Sequence, residues 1–222
     1  MALDMLLSLL SKALWQTVQM VAIAGFIGTV IGLPIGVFLA NSAKGELFAA
    51  PVTNRVVGLI VNATRSTPFI ILVVAIIPFT RLVAGTSIGT NAAIVPLTIA
   101  TIPFVARLIE AAIREVDRGL IEAARAMGAT RWQIVSKVLI AEAMPAIIMA
   151  LTMTAVSLIG YSAMVGAVGG GGLGDLGIRY GYQRFMPEVM AAVVILLIVL
   201  VQVVQSFGDA LARHFDKRHR KG

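Results

Sequence analysis

The sequence contains no cysteine, which excludes a disulfide framework and any metal or iron–sulfur site built on thiolates. Its only histidines, His214 and His219, lie together in a basic tail, so no other metal or redox chemistry is visible. Charged residues are scarce as well, at 13% of the chain, whereas 59% of the residues are hydrophobic. This apolar surplus is too large for one water-facing core, so the composition predicts a membrane protein.

Five stretches have the length that a bilayer crossing needs and carry no ionised side chain in their interiors. They are residues 17–40, 66–82, 88–106, 146–165 and 189–207. In lipid, every backbone N–H and C=O group has to be paired within the segment, which a helix achieves. The sequence therefore predicts an all-α integral membrane protein with about five transmembrane helices.

The first 13 residues differ from these stretches. At helical spacing, their apolar residues lie on one face, and Ser8, Ser11 and Lys12 lie on the other. We expect an interfacial helix over residues 1–13. A cleaved signal peptide fits less well, since Asp4 is present and no basic region precedes the apolar run.

The formal charge of +7 raises the possibility of a nucleic-acid partner, but the basic residues instead follow membrane sidedness. With the N-terminus outside, most of the 18 lysines and arginines fall on the inner side. The inner residues are Lys44, Arg55, Arg65, Arg107, Arg114, Arg118, Arg125, Arg131, Lys137, Arg213, Lys217, Arg218, Arg220 and Lys221. Only Lys12, Arg81, Arg179 and Arg184 fall outside. We therefore expect a cytoplasmic C-terminus, lipid headgroups near the tail and no nucleic acid.

The longest inner connection, residues 109–143, is too polar to span a bilayer and is rich in helix-forming residues. A helix is predicted over 120–127, followed by Gly128 at the position of a left-handed C-terminal cap. Thr130 and Gln133 have the spacing of a capping box that starts a second helix. Glu122, Ala123, Ala124 and Gly128 could anchor this loop in a groove of a partner, although the same residues also suit an ordinary surface helix.

Four side chains of the fourth predicted span share one helix face that is unlike a lipid-facing surface. They are Thr154, Ser157, Tyr161 and Met164. The face could line a pathway, with the last two residues as a gate, or could hydrogen-bond to neighbouring helices. The sequence alone leaves both interpretations open.

Glycines form two patterns. Gly28, Gly32 and Gly36 make a double G-x-x-x-G in the first span, which favours close helix packing, with a partner in the same or another subunit. The run 169–177 satisfies G-x-G-x-x-G twice, but no strand precedes it and the topology places it outside, so a nucleotide site is rejected. We interpret this run as an outer loop that needs unusual backbone dihedrals.

With the spans on both sides, the loop resembles the E-A-A-x-x-x-G loop of the permease subunits of ABC importers, over about residues 14–205. Further strings are similar to those of methionine-uptake permeases: RSTPFIILVVAIIPFTR at 65–81, GTSIGTNAAIVPLT at 85–98, LIEAARAMGAT at 120–130 and GYSAMVGAVGGGGLG at 160–174. One departure is Ile140-Ala141, where permeases often carry Leu-Pro; the proline comes later, at Pro145.

The resemblance implies a type I importer permease with three parts: the segment 1–13, a transmembrane domain over 14–205 with a cytoplasmic coupling helix, and a basic cytoplasmic tail over 206–222. It implies a homodimer in the bacterial inner membrane, served by two ATPase subunits and an extracytoplasmic binding lipoprotein. ATP and Mg²⁺ would bind to the ATPase, and this chain would hold no cofactor and be no enzyme. Glu122, Ala123, Ala124 and Gly128 would form the ATPase-docking loop.

Two other classes of function remain as alternatives. A secondary carrier would need ionisable residues within the bilayer, and the interiors of the five predicted spans have none. A membrane subunit that only scaffolds partners is opposed by the polar face at Thr154, Ser157 and Tyr161. Methionine, as the D- or L-isomer, rests on resemblance alone, so another small amino acid stays open as the substrate.

Overall fold

The computed structural model describes residues 3–216, and within this range it contains α-helices, two π-helical turns and no β-strand. The α-helices are α1 Leu3–Asn41, α2 Pro51–Ser66, α3 Phe69–Ala75, α4 Ile77–Ala84, α5 Thr90–Arg114, α6 Arg118–Ala126, α7 Arg131–Gln133, α8 Ile140–Ala167, α9 Gly172–Leu176 and α10 Pro187–Phe215. The π-helical turns are Ile134–Leu139, before α8, and Gly177–Tyr182, after α9. The basic residues 217–221 of the predicted tail lie outside the described range.

Four helical stretches are long and apolar enough to cross a membrane: Asp4–Asn41, Thr90–Arg114, Arg131–Ala167 and Pro187–Phe215. A fifth candidate is the bent pair formed by α2 and α3. These agree with the predicted number of about five. Three of them contain the predicted spans 17–40, 146–165 and 189–207, and Thr90–Arg114 contains all but the first two residues of the predicted span 88–106.

The second predicted span, 66–82, is wrong as a continuous helix. The chain bends by 101° between α2 and α3, and a second break at Ile76 separates α3 from α4. Pro68 is the N-cap of α3, and Pro78 lies in the first turn of α4. Proline has no backbone N–H and disfavours helical geometry in the residue before it, so each one begins a new helix. As a result, Arg55 and Arg65 lie within the bent candidate span rather than outside it.

The N-terminal segment does not form a separate helix. α1 runs without interruption from Leu3 to Asn41, a length of 39 residues or about 58 Å. This length exceeds the roughly 30 Å of a hydrocarbon core, so α1 can cross the bilayer and still extend beyond it. The location of residues 1–13 at the membrane interface stays a prediction.

The chain forms two compact units, each with its own core. One unit comprises Met1–Gly28, Thr67–Thr101 and Thr154–Gln205, and its cores are built around Met20, Leu97 and Leu158 and around Leu173 and Val189. The other unit comprises Thr29–Ser66, Ile102–Met153 and Ser206–Gly222. Its core contains the buried residues Val105, Ile109, Ala124, Ile134 and Leu139, and it includes the candidate docking loop.

The G-x-x-x-G pattern packs α1 against α5 in this second unit. A methyl group added at Gly32 would lie 2.7 Å from the Ile102 carbonyl oxygen, and one at Gly36 would lie 2.6 Å from that of Ala106. Both spacings are far inside van der Waals contact, so only glycine permits this approach. The packing interpretation is confirmed for these two glycines, with the partner helix in the same subunit.

Candidate functional site

The candidate docking helix α6 is a short amphipathic helix with a well-defined start. Asp117 caps its N-terminus by accepting a 2.6 Å hydrogen bond from the Gly119 backbone N–H. Glu122 and Ala123 are exposed, and Glu122 makes no ion pair with any residue of the described range. Ala124 is only 4% exposed and packs into the core of its own unit. The expectation that both alanines face a partner is therefore not met at Ala124, because consecutive residues of an α-helix project in directions about 100° apart.

The turn after α6 has the predicted conformation. Gly128 has φ +78, in the left-handed region, and the backbone N–H of Ala129 donates to the carbonyl of Ala124. Thr130 and Gln133 form the predicted capping box, with each side chain accepting from the other residue's backbone N–H at 3.3 and 2.8 Å. The elbow between α6 and α7 therefore follows from local sequence, as predicted.

Two large apolar side chains project from this elbow. Met127 is 82% exposed and Trp132 is 72% exposed. One side of the Trp132 indole contacts Phe48, in the connection between α1 and α2, with ring centroids 5.2 Å apart. Glu122, Ala123, Met127 and Trp132 are thus all exposed within residues 122–132, and exposed apolar side chains near a carboxylate are suited to contact with another protein.

The polar face predicted in the fourth span divides into buried and accessible residues. Thr154 is 3% exposed, and the Tyr161 ring stacks on Phe69 at a centroid distance of 4.5 Å and an interplanar angle of 18°. Ser157 is half-buried, whereas Met164 is 48% exposed. Of the four candidates, Met164 is therefore the most accessible in the single chain and Thr154 the least.

The glycine run has the unusual backbone dihedrals predicted for it, but it is not a loop throughout: only its first residues form a turn, because Gly172–Leu176 is α9 and Gly177 begins a π-helical turn. Gly169, Gly171 and Gly172 have φ values of +87, +80 and +79, a conformation that side-chain-bearing residues rarely adopt. Two residues of α1 hold this turn, and sequence reasoning missed both. The Gly172 N–H donates to the Gln16 side chain at 3.0 Å, and the Leu173 N–H donates to the Thr17 hydroxyl at 2.9 Å.

A buried ion network on α5 was also missed. Glu110 is 6% exposed, accepts from the Arg107 guanidinium at 2.5 Å and pairs with Arg114 at 2.7 Å. Arg107 also donates from Nη2 to the backbone carbonyl of Gly58 in α2, at 2.9 Å. The spacing of three and four residues between charges of opposite sign was visible in the sequence as a one-face pattern, but the contact with α2 was not.

A family model described as "binding-protein-dependent transport system inner membrane component" matches residues 32–221. The chain belongs to this family. The "probable D-methionine transport system permease protein MetI" of Vibrio cholerae is 57% identical over 210 residues, which cover 95% of this chain and 93% of that protein. The "D-methionine transport system permease protein MetI" of Escherichia coli K12 is 54% identical over 158 residues, covering 71% and 73%.

Solved structures of ABC transporters are also similar to this chain. A chain in the inward-facing MetNI methionine ABC transporter has a TM-score of 0.94 at 50% identity, covering 98% of this chain and 100% of that one. An amino acid ABC transporter crystallised with histidines has a TM-score of 0.78 at 23% identity and shows the fold alone. Membership of the family of binding-protein-dependent transport components confirms the predicted class, a multi-pass inner membrane permease subunit rather than an enzyme.

Proposed function

We propose that this chain is the pathway-forming permease subunit of an ATP-driven importer for methionine. The observation that carries this proposal is the 57% identity to the Vibrio cholerae D-methionine permease over 95% of the chain. Two copies of the chain form the pathway, two cytoplasmic ATPase subunits bind ATP and Mg²⁺ and drive transport, and an extracytoplasmic binding protein delivers the substrate. The chain itself carries no cofactor.

The ATPase docks on α6 and the elbow that follows it. Support comes from the exposure of Glu122 and Ala123, which lie on the outer side of α6. Gly128 turns the chain so that α6 and α7 form one rigid elbow, while Ala124 attaches this elbow to the core of its own unit. A displacement of the ATPase can therefore be passed to α5 and α8, the helices that the loop joins.

Met164 and Tyr161 form a gate near the two-fold axis of the homodimer. Support comes from the accessibility of Met164 in the single chain and from the pliability of a thioether side chain, which can adapt to a moving solute. Cysteines at position 164 are expected to crosslink between the two copies in at least one nucleotide state. A chain without native cysteine makes the experiment clean, and no crosslink in any state would remove Met164 from the axis.

The N-terminus lies outside and the C-terminus in the cytoplasm. Of the charges on which this orientation was based, Arg55 and Arg65 now fall in the bent candidate span. Arg118 and Arg125 in α6 lie outside all the candidate spans, and Arg114 and Arg131 are the terminal residues of the spans on either side of α6, so this end of the spans stays basic. The candidate docking loop then faces the compartment that contains ATP.

The decisive experiment is uptake into vesicles that contain the chain, its ATPase and its binding protein. Labelled D- and L-methionine are expected to accumulate only when ATP is supplied on the side of the membrane to which the ATPase is bound. Collapse of the proton gradient should leave uptake unchanged. Uptake that needs the gradient but no ATP would instead identify a secondary carrier. ATP-dependent uptake of another small amino acid, with none of methionine, would refute the substrate assignment and retain the class.

A further inference from the structure

The buried ion network on α5 lies at the inner end of the helix that leads into α6. Ala106 ends the predicted third span, and Arg107, Glu110 and Arg114 follow it on one face of α5. Three residues, 115–117, separate the end of α5 from α6, and Asp117 is already the N-cap of α6. A movement of α6 must therefore act first on this end of α5.

The network gives α5 a specific attachment to α2. The Glu110 side chain is 8% exposed, so its carboxylate needs partners, and the two arginines supply them from opposite sides. Arg107 uses Nη1 for Glu110 and Nη2 for the Gly58 carbonyl, which lies 49 residues away in sequence. A planar guanidinium can make both contacts at once, whereas the single ammonium group of lysine cannot do so with the same geometry.

Gly58 is adapted to this contact. A methyl group at Gly58 would lie 3.2 Å from Arg107 Nη2, so the guanidinium that contacts this carbonyl would have to shift by a few tenths of an ångström. A different face of α5 is held to α1 by the close approach at Gly32 and Gly36. α5 is thus attached to two helices by different means: to α1 by shape and to α2 by charge-assisted hydrogen bonds.

We propose that Arg107, positioned by Glu110, is the residue that makes α2 move together with α5 when the ATPase displaces α6. This inference rests on the proposed function, because it assumes that α6 receives the ATPase. Arg107 is a positioning residue: it touches no substrate, and it acts by joining the end of α5 to Gly58. Arg114 is 53% exposed, and its one ion pair within residues 3–216 is with Glu110, so it neutralises the carboxylate from the solvent side.

Arg107→Lys separates these roles, because it keeps the positive charge beside Glu110 and loses the fork that reaches Gly58. Gly58→Ala keeps every charge and crowds the same contact, so it serves as a second variant if the lysine disturbs folding. Arg114→Lys is the matched control. We expect the first two variants to assemble with the ATPase, hydrolyse ATP and use about tenfold more ATP per methionine imported, since one charge-assisted hydrogen bond is lost. The control should keep the normal ratio.

A distance measurement tests the same inference without any substrate. Spin labels at Val56 in α2 and Ala111 in α5, both exposed, are placed on one protomer of the assembled complex. The distance between them should be the same with and without ATP in the unmodified background and should change or broaden in Arg107→Lys and Gly58→Ala. An unchanged distance and a normal ATP ratio in both variants would overturn the inference, as would an equal effect of Arg114→Lys. If the unmodified complex imports no methionine, the proposed function fails while the distances still decide the role of Arg107.

Discussion

Single residues of the candidate docking loop differ in what surrounds them, and this decides how each can be tested. Glu122 is exposed and Gly128 has open space around its Cα, with no atom within 4 Å of an added methyl group. Ala124, by contrast, is buried in the core with Ile134 and Val135. Substitutions at Glu122 and Gly128 can therefore report on docking, whereas a larger residue at Ala124 would first disturb the fold of its own unit.

Glu122→Ala is expected to weaken binding of the ATPase, because it removes the one carboxylate on the exposed face of α6. The cost should be about 3 kcal/mol if Glu122 pairs with a basic residue of the ATPase and the assembly buries this ion pair. A pair that stays in water would cost about 1 kcal/mol or less. Retention of the ATPase on the immobilised complex, measured against salt, gives the loss. Glu115→Ala is the control, since this carboxylate is exposed near α6 but outside it; equal retention for both variants and the parent would exclude Glu122 as an anchor.

Gly128→Val is expected to uncouple ATP hydrolysis from uptake, through backbone strain alone. The left-handed conformation at φ +78 costs a side-chain-bearing residue about 1–2 kcal/mol, and a Cβ added here meets no atom within 4 Å. Gly128→Asn is the matched control, because asparagine tolerates this conformation better and should retain most coupled transport. If Gly128→Val and Gly128→Asn couple ATP hydrolysis to uptake to the same extent, backbone strain does not control coupling and the elbow explanation is wrong.

At the scale of helices, two features depend on groups that a hydropathy pattern does not register. The prolines at 68 and 78 break an apolar stretch that has the length of a normal span, and the result is two short helices, α3 and α4. The π-helical turn Ile134–Leu139 lies between the capping box and α8, close to Ile140-Ala141, where permeases often carry Leu-Pro. Because π-helical turns often mark functional sites, we expect the chain to bend between α7 and α8 when the docking loop moves.

The packing of α1 on α5 can be tested with a single methyl group. Gly32→Ala places its Cβ 2.7 Å from the Ile102 carbonyl oxygen and 2.9 Å from the Val105 Cβ. Because backbone cannot move away cheaply, the variant should lose about 1–3 kcal/mol and melt at a lower temperature in detergent. Gly160→Ala is the control, since a methyl group there meets nothing within 4 Å. Identical melting temperatures for the two variants would contradict the close approach.

For the whole molecule, orientation in the membrane is the property most open to direct measurement. Position 175 is unsuitable as an outer reporter, because Asp175 is 8% exposed and paired with Arg179. Gln183 is exposed in the turn that follows, and Ala126 is exposed at the end of α6. An impermeant maleimide on spheroplasts should label Gln183→Cys but not Ala126→Cys, and both after permeabilisation. Labelling of Ala126→Cys alone in intact spheroplasts would reverse the topology.

A feature could be predicted from the sequence when the residues that determine it lie close together along the chain. Four spans, the cap at Gly128 and the capping box of Thr130 were predicted because hydropathy and backbone capping involve residues within one or two turns of each other. The family was recognisable for a similar reason, since its motifs are short strings. α2 was missed, because its mixed polar and apolar residues gave no run long enough to count as a span.

Local sequence by itself determined the helices of this protein, their caps and the glycine turns, since these depend on backbone hydrogen bonds and allowed dihedrals over a few residues. Only the tertiary structure decided which side chains face inward. It buried Ala124 and Thr154, brought Gln16 and Thr17 to a turn 156 residues away, and joined Arg107 to Gly58 across 49 residues. These contacts depend on how helices pack. Helical spacing places residues on a common face, but it does not specify which neighbouring helix that face will meet.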